Sequence, residues 1–127
     1  MTTLPRPTPA ELEILRLLWE HGPSTVRDVQ EHMEEQRPTG YTTVLKLLQI
    51  MTDKGLVRRN ESARAHVYAA RAPQDETQGQ LVRDLLDRAF GGSAAKLVMH
   101  ALSARKTSRE DLARIRQLLD EFEGGER

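Results

Sequence analysis

The chain has 127 residues, 38% hydrophobic and 30% charged, which suits one small soluble domain or two very small ones and leaves no room for a large catalytic fold. The absence of cysteine excludes disulfides, thiolate metal centres, iron–sulfur clusters and cysteine nucleophiles together. The formal net charge of +0 argues at first against a polyanionic partner, although its distribution, taken up below, reverses that.

Thr8-Pro9-Ala10-Glu11 has the form of a capping box, with Pro9 suited to the first helical position. A first helix starting there places Leu12, Leu15, Leu18 and Trp19 at spacings of three and four, and Gly22-Pro23 stops it. Thr25 stands three residues before Asp28 and caps a second, short helix with Val26, Val29 and Met33 on one face, ending near Gln36. Pro38-Thr39-Gly40 forces a turn. A third helix runs from Tyr41 to Lys54 on an apolar face of Val44, Leu47, Leu48 and Met51, closed by Gly55. Beyond Gly55 the period drops from about 3.6 residues to about 2. Leu56 to Arg59 and Ala65 to Ala69 read as a β-hairpin joined by the polar tip Asn60-Glu61-Ser62-Ala63-Arg64. Three helices followed by a hairpin is the order of a winged helix-turn-helix, whose core is expected from Leu12, Leu15, Trp19, Val29, Val44, Leu48 and Val67.

Ala72-Pro73-Gln74-Asp75-Glu76 is a polar break that ends this first domain, giving a winged helix over 1–73 and a helical region over 74–127. Leu81, Val82, Leu85, Leu86, Ala89 and Phe90 follow at helical spacings up to Gly91-Gly92. Ser93 caps a fifth helix through Leu97, Val98, Met99, Ala101 and Leu102, and Thr107 with Glu110 forms a capping box for a sixth carrying Leu112, Ile115, Leu118, Leu119 and Phe122. Three short helices of this size enclose too little to hold a core alone. A second copy of the chain would cover Leu81, Leu85, Leu112, Ile115, Leu119 and Phe122, so a homodimer is expected. The fold class is thus mainly α with a small β-hairpin: a winged helix-turn-helix followed by a three-helix dimerisation region.

Charge is segregated along the chain. Residues 37–71 carry seven basic groups against two acidic ones, a local charge of +5, whereas residues 1–36 sum to −4 and residues 73–127 to −1. A basic third on an acidic body points to local contact with double-stranded DNA. At the start of the third helix Thr42 and Thr43 are suited to phosphates or thymine methyl groups, Lys46 projects one turn on, and Tyr41 is placed for a phosphate or a sugar. Arg64 at the wing tip is a second cationic contact, with Arg58 and Arg59 behind it on opposite sides of a strand, so that at most one of them, taken as Arg58, faces DNA.

Catalytic and cofactor chemistry finds no support. His21, His32, His66 and His100 are scattered with no metal-ligand spacing, and read as surface or half-buried side chains. Asp28, Glu31, Glu34 and Glu35 form a solvated acidic surface, and Gly91-Gly92 lacks the lysine of a phosphate loop. No catalytic residue, metal site or cofactor is expected, and the chain is not read as an enzyme. With no run of about 18 apolar residues and no apolar secretion segment in residues 1–9, a cytoplasmic location without a membrane partner is expected.

Thr8-Pro-Ala-Glu-Leu-Glu-Ile-Leu, Trp19, Ser24-Thr-Val-Arg-Asp-Val, Tyr41-Thr-Thr-Val-Leu, Lys54-Gly-Leu-Val and the wing from Arg64 to Tyr68, taken in order, resemble the penicillinase and methicillin-resistance repressor family, which includes copper-operon repressors. The resemblance covers nearly the whole chain. It implies a homodimeric repressor binding inverted repeats of TACA/TGTA type, with DNA contacts at Thr42, Thr43, Lys46 and Arg64. It also implies a regulatory protease for the β-lactam-responsive members, cut at an Asn-Phe bond in the fifth helix, where this chain reads Met99-His100-Ala101-Leu102. The copper-responsive members use a cysteine motif that this chain lacks. The alternative to a repressor is a winged-helix module that binds proteins without specific DNA binding.

Overall fold

Side chains that accept from the backbone decide where the helices of this chain begin. In the computed structural model, which describes residues 5–62 and 64–125, helix α1 (Pro9–His21) opens on a complete capping box. Thr8 Oγ1 accepts from the Glu11 amide at 3.2 Å, and Glu11 Oε1 accepts from the Thr8 amide at 2.9 Å. Residues 1–4 of the segment read for a secretion signal, and Ala63 of the wing tip, lie outside the described residues.

After β1 (Ser24–Thr25), Thr25 caps α2 (Val26–Glu34) in the same reciprocal way with Asp28. The turn that follows is held by side chains of α2: Gln30 Nε2 donates to the Thr39 carbonyl at 2.9 Å, and Glu34 Oε2 accepts from the Thr39 amide at 3.1 Å. Helix α3 (Tyr41–Lys54) ends at Gly55, whose φ of 84° lies where a Cβ would be strained.

The last turn of α3 is tied to the first turn of α1, because Lys54 Nζ donates to Glu11 Oε1 at 2.7 Å. Glu11 is only 3% exposed. Burial by itself pushes its carboxyl up, but the hydrogen bonds from Lys54 and Thr8 and the Lys54 charge outweigh burial and hold it below its ordinary value of 4.5. Glu11→Ala is expected to cost about 1.5–3 kcal/mol at neutral pH, since the carboxylate serves both the cap and the half-buried ammonium. A carboxyl lowered on folding stabilises above its unfolded value, and that contribution is lost as pH falls below 4.5 through the folded value. Urea unfolding across that range checks this: the variant's stability should fall less with acid than the wild type's, and parallel curves would show that another group titrates.

Strands β2 (Val57–Asn60) and β3 (Val67–Ala70) pair antiparallel, with Val57 opposite Ala70 and Asn60 opposite Val67. The hairpin expected from the sequence is extended by β1, which pairs along the other edge of β3, Ser24 opposite Tyr68 and Thr25 opposite Val67, giving the order β1-β3-β2. A two-residue strand has no alternation to betray it.

The core gathers Ile14, Leu15, Leu18, Val29, Met33, Val44, Leu48, Met51, Val57 and Tyr68. Three expected members sit at its margin instead: Leu12, Trp19 and Val67 are half-buried. The register of β3 turns Tyr68 inward rather than Val67, leaving it 1% exposed. Trp19 stays at the rim, where its indole donates to the Ala72 carbonyl at 3.1 Å.

Helix α4 (Gln74–Ala89) begins inside the stretch read as a polar break, since the Pro73 carbonyl accepts from the amides of Glu76 and Thr77, and it buries Thr77 and Gln80. The chain divides into two compact units between Val82 and Arg83. In the second, Ser93 caps α5 (Ala94–Ala104), and the Phe90 and His100 rings lie 5.6 Å apart. Helix α6 (Arg109–Gly124) is capped by Ser108, which accepts from the Asp111 amide, one position later than the expected Thr107–Glu110 pair. Neither α5 nor α6 contains a buried residue. Among the described residues no helix is long and apolar enough to cross a membrane.

Candidate nucleic-acid interface

Val44, Leu48 and Met51 are fully buried, at the spacings of three and four that define one face of α3. That anchoring turns Thr42, Thr43 and Lys46 outward, all exposed, with Tyr41 48% exposed at the first turn. Gln49 and Ile50 continue this outward face. On the wing, Arg58 on β2 and Arg64 in the tip are exposed.

The basic segment is less free than its residue count suggests. Arg37 makes a two-pronged ion pair with Glu13 of α1, at 3.1 and 2.8 Å, and Lys54 is held by Glu11. Arg59 donates to Glu61 Oε2 at 2.7 Å; its guanidinium pKa is raised by a hydrogen bond with Tyr68 and then by Glu61. Among the described residues, Lys46, Arg58, Arg64 and Arg71 have no carboxylate partner. The basic residues without a carboxylate thus include the three named as DNA contacts.

Tyr41 and Arg64 line one cleft of about 420 Å3 between the helix-turn-helix and the wing. Arg58 is not among its lining residues. Two residues not expected from the sequence to contact DNA, Arg27 and His66, share this cleft. The pairing of β1 with β3 brings them together, a long-range contact that neither stretch shows by itself.

The residues expected to pair two chains remain largely uncovered. Leu85, Leu119 and Phe122 are 46%, 56% and 66% exposed, while Leu81, Leu112 and Ile115 are half-buried.

Three helices, a short wing sheet and an exposed first turn on the third helix make a winged-helix fold, which the family match and the relatives below make that of a transcriptional regulator. The chain belongs to the penicillinase repressor family, whose model matches residues 7–121. It is 32% identical over 127 residues to the transcriptional regulator BlaI of Mycobacterium tuberculosis, covering 98% of this chain and 91% of that one. Against the penicillinase repressor of Bacillus licheniformis the identity is 22%, over 95% and 94% of the two chains. The solution structure of the DNA-binding domain of the repressor BlaI superimposes with a TM-score of 0.52 at 21% identity, covering 60% of this chain and 93% of that one. The transcriptional regulator Tm0710 from Thermotoga maritima gives 0.53 at 18% identity, covering 92% and 74%. These two likenesses bear on the fold.

Proposed function

We propose that the protein is a homodimeric, sequence-specific DNA-binding repressor, acting in the cytoplasm on an inverted-repeat operator. Thr42, Thr43 and Lys46 enter the major groove, with Tyr41 beside them, while Arg58 and Arg64 bring the wing to the backbone. Residues 1–73 serve as the DNA-binding domain and residues 74–127 join two copies, so that each copy reads one half-site. The observation that carries this reading is the outward, polar first turn of α3, with Lys46 exposed one turn on, beside wing arginines that no carboxylate holds. Family membership supports repression as the outcome of binding.

Footprinting the region upstream of the protein's own gene supplies the operator for the test. Lys46→Ala combined with Arg64→Ala should leave folding intact, since both side chains are exposed. Losing two cations that displace counterions from the DNA should flatten the salt dependence by about 1.8 in slope, which is about 60-fold in affinity at 0.1 M salt. A double variant with wild-type affinity and slope would show that DNA is not bound by this face, and wild-type protein indifferent to salt would favour a protein-binding module.

A further inference from the structure

We propose that the cleft between α2, the first turn of α3 and the wing seats one phosphate of the DNA backbone, with Arg27 and His66 as contact residues alongside Tyr41 and Arg64. The proposal rests on the DNA-binding reading above and extends it to Arg27 of α2 and to His66, the residue before β3.

The placement follows from the sheet. Thr25 of β1 lies opposite Val67 of β3, which sets Arg27, two residues on, beside His66, the residue before Val67. The cleft floor is apolar, with Val26 and Leu45 among its lining, and no carboxylate lines it. The Thr25 hydroxyl is already engaged with the Asp28 amide. The polar groups of Arg27, Tyr41, Arg64 and His66, by contrast, make no hydrogen bond or ion pair among the described residues. Four donors and no acceptor-only group around one open cleft match a phosphodiester, whose oxygens accept and whose sugar packs on an apolar floor. Because the recognition helix and the wing both line the cleft, a phosphate held there fixes the register in which Thr42, Thr43 and Lys46 meet the bases.

The test uses the full chain with two duplexes, the footprinted segment and a shuffled version of it, titrated across KCl concentrations. Arg27→Ala should weaken both duplexes about eightfold at 0.1 M salt and flatten the slope by about 0.9, leaving their affinity ratio unchanged, because a phosphate contact carries no base information. Arg27→Lys should keep the slope, since a point charge still displaces a counterion. Arg16→Ala, which removes an exposed charge from α1, should leave the slope as it is. Ethylation of one phosphate should interfere with the wild type and lose its effect in Arg27→Ala. Thermal melting should be the same for Arg27→Ala and wild type, because the side chain is exposed. An Arg27→Ala slope equal to the wild type's, or a loss matched by Arg16→Ala, overturns the proposal while Lys46→Ala and Arg64→Ala still report on the wider reading. Wild-type protein that binds neither duplex overturns both.

Discussion

A chain ending at Val82 is expected to stay folded, sediment as a monomer, and bind the operator 10²- to 10⁴-fold more weakly than the full chain, the range by which linkage of two sites raises avidity. It should fold because every member of the buried apolar cluster lies between Ile14 and Tyr68, and because the part of α4 that buries Thr77 and Gln80 is retained. It should be monomeric because the removed segment carries most of the exposed large apolar residues: Leu85, Val98, Met99, Leu102, Leu118, Leu119 and Phe122. Helices α5 and α6, 11 and 16 residues long with no buried residue, gain no core from their own unit. Isolated helices of about 12–15 residues are marginal in water, so their order in solution calls for a covering surface. A second copy supplies it and couples two half-sites. Sedimentation and gel shift measure the two parts separately, and a truncated chain that still dimerises or keeps full affinity would move the dimer contact into residues 1–82.

Tyr68→Ala should be the most damaging single substitution of the wing, lowering stability by about 3–5 kcal/mol, as for other buried aromatic truncations. Tyr68 is the largest of the fully buried side chains, and its strand is the central one, so a cavity there lies between Ser24 on one side and Arg59 on the other. Tyr68→Phe keeps the ring and loses only the hydroxyl beside Arg59, so a far smaller loss is expected. Small domains have only about 5–15 kcal/mol in total. The alanine variant should therefore unfold early in urea and lose DNA binding through unfolding, while the phenylalanine variant binds normally. Equal midpoints for the two would mean that the ring adds little to the core.

Local signals carried the helices well. Thr8 and Thr25 announced their capping boxes, and Gly55 marked the end of α3, because each acts within one turn of itself. The sequence also placed Thr42, Thr43 and Lys46 outward correctly, since three or four apolar positions fix the orientation of a helix. The wing was harder. Alternation in a strand of four residues gives two equally good faces, and the choice of Tyr68 over Val67 is made by two neighbouring strands, one of them only two residues long. Charge counting failed at Arg37 and Lys54 for a related reason: their carboxylate partners lie 24 and 43 positions away, on α1. Arg27 and His66 are likewise far apart in the chain and come to one cleft only after the sheet forms.

The lock on the turn before α3 bears on how the protein docks. Gln30 and Glu34 grip Thr39 from one turn of α2, and Gln30 also donates to Glu34 at 3.0 Å, so the grip is braced within α2 itself. Helices α2 and α3 then move as one stiff element, and little conformational freedom is left to be lost when the recognition helix meets its groove. Such preorganisation makes docking a rigid-body event, in which mismatched operators are distinguished by how fast they are released rather than by how fast they are found.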